Sequence, residues 1–169
     1  MAFVVAGLLI LTELVHSVWL VRVPVWGQIA DPAIPLIIAL SFRRPDWGPV
    51  VGFGAGLLQD LLFGGSLGLF ALSKLVVGYG AGVLGRTVLV DQPLLPWIVT
   101  ALATVLQQVI LVIVLGVTDL LPVSFGAFGR PLLAQVGLNL LAVWPAFAVT
   151  RLLLRAPRAA RPRERFHVI

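Results

Sequence analysis

Apolar residues run through this chain in long blocks, with polar residues gathered in the short gaps between them. The first block, residues 2–20, closes on Trp19 and Arg22, an aromatic and a cation of the kind found where a helix leaves lipid. Residues 21–30, with Pro24 and Gly27, read as a connection. Asp31-Pro32 then reads as an N-cap followed by a proline at the first helical position, where no amide partner is needed. The apolar run to Phe42 is short for a crossing, so the second helix is expected to start earlier or to be irregular. Arg43, Arg44, Pro45 and Asp46 stop it. Residues 47–63 and 67–85 predict a third and a fourth helix, separated only by Gly64-Gly65-Ser66 and so folded as a tight antiparallel hairpin. Residues 94–117, opened by Trp97, predict a fifth helix, and residues 118–129 a polar, glycine-rich connection. A sixth runs from about 131 to 154, with a kink expected at Pro145.

Composition says which solvent these helices meet. The chain is 60% apolar and 11% charged with a mean hydropathy of +1.07, whereas a soluble domain carries about 25% charged residues. A spanning helix takes about 20 residues, so six would consume roughly 120 of the 169 and leave no room for a soluble domain. The expectation is an all-α integral membrane protein with six transmembrane helices in one domain, residues 1–155. The first helix lacks a basic leading region and a small-residue cleavage site, so it is expected to be retained rather than removed as a signal. With no cysteine there is no disulfide framework and no thiol chemistry.

Charge sets the orientation. Twelve Lys+Arg against seven Asp+Glu give +5, and half of the positive charges lie between residues 151 and 165. Clustered directly after an apolar helix, they read as orientation and anionic-lipid contact rather than nucleic-acid binding. With six spans and both termini in the cytoplasm, nine arginines (Arg43, Arg44, Arg86 and the six from Arg151 onward) fall inside, and only Arg22 and Arg130 outside. Five spans would score worse. The Arg- and Pro-rich tail, residues 156–169, is expected to be a disordered basic cytoplasmic segment that touches lipid or a cytosolic partner.

Several polar or small residues stand out against this apolar background. Gly52-Phe53-Gly54-Ala55-Gly56 in the third helix and Gly78-Tyr79-Gly80-Ala81-Gly82 in the fourth are a repeated block, each with a GxxxG pair. Gly52 and Gly78 fall at similar depth in the hairpin, which predicts close helix packing within it or against a partner helix. A phosphate-cradling loop would need a preceding strand and a downstream acid. Asp60 and Lys74 differ in depth by roughly 6 Å, within reach of a lysine stem, and are expected to pair across the hairpin. Glu13 and His16 share one face of the first helix beside Thr12. They form either a proton relay or, more simply, a hydrogen-bonded contact with Gln107, Gln108, Gln135 or Asn139 on later helices. Gly64-Gly65-Ser66-Leu67-Gly68 matches G-x-S-x-G, but no histidine in the later helices could serve as its base, and a turn explains it. No catalytic residue, cofactor site or metal-ligand set is expected.

From Asp31 to Arg86 the sequence resembles the MreD family of bacterial rod shape-determining membrane proteins. The match runs through Asp31-Pro32, Leu36-Ile37-Ile38-Ala39-Leu40, Gly48, Gly52-Phe53, Gly56-Leu57-Leu58-Gln59-Asp60-Leu61-Leu62, Leu67-Gly68-Leu69, Ala71-Leu72 and Gly78-Tyr79. One departure is the order Asp31-Pro32, where the family pattern has Pro-Asp, so the residues as they stand support only a helix cap for Asp31. The resemblance implies a fold similar to the substrate-binding subunits of energy-coupling-factor transporters. It also implies a non-catalytic scaffold in the bacterial inner membrane that associates with MreC, with the peptidoglycan synthase of RodA and a class B penicillin-binding protein, and with the filament MreB across the membrane. By the matched motif Gly52, Gly56, Asp60 and Gly68 would shape the hairpin. A vitamin-type binding subunit of an energy-coupling-factor transporter is the alternative, with Ala2 and Ala6 as a docking face and the Gln/Asn set as a ligand site.

Overall fold

The structure is a computed structural model and describes residues 2–22, 24–25, 27–64, 68–87, 92–117 and 129–154. Six α-helices account for nearly all of them: α1 (Ala2–Val18), α2 (Ala33–Arg43), α3 (Gly48–Phe63), α4 (Leu69–Thr87), α5 (Leu95–Val117) and α6 (Gly129–Leu153). Short 3-10 turns follow α1 at Leu20–Arg22 and precede α3 at Pro45–Trp47. The apolar blocks of the sequence therefore mark the helices to within two or three residues. Pro145 lies inside α6, with helix on both sides of it.

Among the described residues, four helices are long and apolar enough to cross a membrane: residues 2–22, α4, α5 and α6. Six crossings are thus not given by helix length alone. At about 1.5 Å per residue, the 11 residues of α2 rise only about 16 Å and the 16 of α3 about 24 Å.

The shortness of α2 has a physical cause. Its sequence is apolar on every side, and all residues from Ala33 to Phe42 are buried, so it is a central helix wrapped by protein. One face, Ala33, Leu36, Ile37 and Leu40, packs with Val5 and Leu9 of α1 and Val51 and Ala55 of α3. The opposite face, Ile34, Ile38 and Phe42, packs with Val77 and Ala81 of α4 and Val99 and Ala103 of α5. Phe42 also meets Phe147 of α6 edge-on, ring centroids 6.1 Å apart. The other helices turn large apolar side chains outward, among them Phe3, Leu102, Leu141 and Trp144.

Because α2 begins inside the bundle, the chain entering it from Gly27 to Pro32 does so as non-helical backbone. At membrane depth such backbone is tolerated only where protein surrounds it or it lines a cavity. Here Gly27, Gln28, Ile29 and Asp31 line a cavity, and Asp31 is buried. The expected tail at residues 156–169, the 118–128 connection and Ser66 of the G-x-S-x-G match lie outside the described residues.

Candidate functional site

Polar groups concentrate where α2 begins. Asp31 stands at its entrance, and its Oδ1 accepts from the Ala33 amide at 3.2 Å, a helix-start contact. The same oxygen accepts from Lys74 Nζ of α4 at 2.9 Å, and Lys74 also donates to Glu13 Oε1 of α1 at 3.1 Å. Gln107 Nε2 of α5 donates to Asp31 Oδ2 at 3.2 Å. From α6, Asn139 Oδ1 accepts from the Asp31 backbone N–H at 2.7 Å, while Asn139 Nδ2 donates to Thr104 Oγ1 of α5 at 3.0 Å. His16 Nδ1 lies 3.4 Å from Glu13 Oε2, its ring tilted against Phe63 with centroids 5.1 Å apart. Lys74, Glu13 and Asn139 have no exposed surface at all.

Five helices thus meet in one network centred on Asp31, and three of them, α2, α4 and α5, donate to its carboxylate. Gln107 and Asn139 sit beside the midpoints of α5 and α6, so the network lies in the middle of the bundle, where an unpaired charge would be most costly. One lysine between two carboxylates, with neutral amides supplying further donors, answers that cost locally. Asp31, read from the sequence as a cap alone, is the hub.

The expected Asp60–Lys74 pair is not formed. Lys74 turns to Glu13 and Asp31, and Asp60 finds a nearer set of donors. Its Oδ2 accepts from the backbone N–H groups of Gly68 (2.9 Å) and Ala71 (3.0 Å), and its Oδ1 from Phe70 (3.0 Å). A buried carboxylate thereby covers the unpaired amides at the start of α4, where the helix dipole favours negative charge. Gly64 closes α3 in the left-handed conformation (φ 64°), and Gly68, at φ 100°, sits in the turn rather than on a packed helix face.

The repeated glycine blocks divide cleanly. A Cβ on Gly52 would fall on the Lys74 carbonyl, one on Gly56 on the Phe70 carbonyl, one on Gly78 on the Gly48 carbonyl and one on Gly82 on the Pro45 carbonyl. Gly52 and Gly78 face one another, and a Cβ on either would stand 3.3 Å from the other's Cα. Around the middle glycines, Gly54 and Gly80, the space is open. So α3 and α4 pack backbone to backbone, as small residues allow where lipid gives helices no hydrophobic reason to associate.

Sequence reasoning singled out Glu13, His16, Lys74, Gln107 and Asn139, and the structure brings these together. It sets Gln108 apart, on the wall of a neighbouring cavity of about 310 Å³ that His16, Asp31 and Gln107 also line. Thr104 was missed, although its place one turn before Gln108 puts it on a polar stripe of α5. Among the described residues, no group of His, Cys, Asp and Glu side chains is arranged to hold a metal ion.

No curated protein and no solved structure matches the chain, so the expected likeness to energy-coupling-factor subunits finds no support there. The family model for the rod shape-determining protein MreD matches residues 1–155, which takes in all six helices. The match extends the resemblance well past the Asp31–Arg86 segment that first carried it, and the chain belongs to the MreD family.

Proposed function

We propose that this rod shape-determining membrane protein works as a non-catalytic scaffold of the cell-elongation machinery. In this reading it binds MreC and, through it, the synthase of RodA and a class B penicillin-binding protein, with MreB aligned on the cytoplasmic side. The family match over residues 1–155 is the observation that carries it. The chemistry agrees, because the buried ionisable groups are spent on one another: Lys74 on Glu13 and Asp31, Asp60 on the amides of α4. The surfaces left for other proteins are apolar helix faces. Gly52, Gly56 and Gly78 are occupied within the hairpin and Gly82 by Pro45 just before it, so a partner helix seeking close approach would use Gly54 or Gly80.

The chain makes six crossings of the inner membrane with both termini in the cytoplasm, and α2 completes its crossing with the non-helical stretch that precedes it. Arg43 and Arg151, which flank a cavity of about 730 Å³ at one end of the bundle, and the arginines beyond them contact anionic lipid.

Affinity purification from the native membrane in mild detergent tests the reading. MreC and the RodA–penicillin-binding-protein pair are expected to co-purify. Recovery of a transport subunit with two ATPases, and of no wall-synthesis protein, would overturn it.

A further inference from the structure

The cavity beside the charge network is built unlike the rest of the interior. Five glutamines line it: Gln28 from the chain entering α2, Gln59 from α3, Gln107 and Gln108 from α5 and Gln135 from α6. Gln59, Gln107 and Gln135 are more than nine-tenths buried, yet the Oε1 atom of each has no hydrogen-bond donor. Among the described residues, the amides of Gln59 and Gln135 make no hydrogen bond of any kind. A buried amide left unpaired is destabilising, and most buried polar groups in folded proteins are satisfied. Three unpaired acceptors on side chains that line one space are therefore a deficit that a guest could fill once those amides turn toward it.

We propose that this cavity binds a neutral, polyhydroxylated small molecule of about monosaccharide size. The volume, about 310 Å³, lies at the lower end of the roughly 300–1,000 Å³ typical of small-molecule sites. Amide walls suit hydroxyl groups, because each amide and each hydroxyl both donates and accepts. Phe63 and Phe70 add two ring surfaces against which the C–H face of a polyol can lie. Charged guests are disfavoured on both sides. An anion would meet the Asp31 carboxylate, and a cation would compete with Lys74, which already holds that carboxylate at 2.9 Å. The terminal torsion of a glutamine is soft, so Gln59 and Gln135 can present either end of the amide to the guest. Gln28 and Gln108 are only half-buried. This site is independent of the scaffold reading and would hold a ligand whichever proteins the outer faces bind.

The test uses the purified full-length chain in nanodiscs, with glucose, galactose and myo-inositol as probes. Thermal unfolding is followed over a concentration series, with sodium chloride and butylammonium chloride as charged comparators. At least one polyol is expected to raise the melting temperature saturably at millimolar concentration or below. Gln135→Leu and Gln59→Leu are expected to weaken that response roughly five- to ten-fold. Both variants should unfold, without ligand, at the wild-type temperature or higher, because each removes an unpaired buried amide. A polyol effect that is linear and equal in wild type and variants is a bulk solvent effect and overturns the proposal. So does a saturable response to either cation alone, no response to any probe, or a Gln135→Leu protein that is less stable without ligand.

Discussion

Lys74 is the only lysine in the chain, and its ammonium lies between two carboxylates, Glu13 and Asp31, that precede it by 61 and 43 residues. Removing one partner of such a pair strands a buried charge, which costs about 3–5 kcal/mol in soluble proteins. Lys74→Met is therefore expected to lower the unfolding temperature markedly, and Glu13→Gln and Asp31→Asn to do so less, since an amide still accepts from the ammonium. Combined with Glu13→Gln, Lys74→Met should lose clearly less than the sum of the two single losses, because the double variant strands one carboxylate, Asp31, where Lys74→Met alone strands two. Combined with Asp60→Asn, the two losses should add to within about 0.5 kcal/mol, as they do for residues that share no partner. Thermal unfolding of the singles and both doubles in one detergent checks this, and additivity in the Glu13 cycle would remove the pair as a stabilising unit. Competition for donors, rather than depth, decides which carboxylates Lys74 meets. Asp60 has three backbone amides within 3.0 Å, so it has no need of a side chain farther along α4. Nothing local to Lys74 points to Glu13 or Asp31, because that meeting depends on α2 entering the bundle at mid-depth.

At the scale of the element, the α3–α4 hairpin is where local pattern and tertiary structure agree best. The GxxxG spacing already placed two glycines of each block on one helical face, and backbone contact occurs on that face. Pattern alone could not say whether the contact lay within the chain or with a partner; the short turn and the Asp60 cap settle it within the chain. Alanine at Gly52, Gly56 or Gly78 must displace a backbone carbonyl, and overpacking of that kind costs about 1–3 kcal/mol or more. Gly54→Ala and Gly80→Ala meet open space and should leave unfolding unchanged in the isolated protein. The set gives a sharp contrast between neighbours two residues apart, readable as the yield of monodisperse protein and its melting temperature. Should Gly54→Ala or Gly80→Ala fold normally yet lose MreC in a pull-down, the outer side of the hairpin would be identified as a partner surface. The second helix was the weak point of the sequence reading for a related reason. A run that is apolar all round announces burial but not the surroundings, and only the assembled bundle shows that protein rather than lipid encloses α2.

For the whole molecule the quantity to measure is how often the chain crosses the bilayer, since among the described residues four helices satisfy the length criterion and α2 and α3 do not. Charge and geometry give converging reasons for six. A five-span arrangement would put Arg43 and Arg44 outside and break the arginine asymmetry, while the central position of α2 leaves it no route along the membrane surface. In a six-span arrangement the remaining depth would be supplied by residues 27–32, non-helical chain held by Asn139, Lys74 and Gln107 through Asp31. The absence of native cysteine makes the count directly measurable. In intact spheroplasts, a membrane-impermeant maleimide should label Arg22→Cys, while Asp46→Cys and Gln92→Cys react only after the membrane is opened. All three positions are exposed in the structure, so a lack of labelling reports the side of the membrane and not burial. Labelling of Asp46→Cys from outside would mean that α2 does not cross. The positive-inside reading of the Arg43–Arg44 pair would then fail with it, and the charge network around Asp31 would have to lie near the outer surface instead of at mid-membrane.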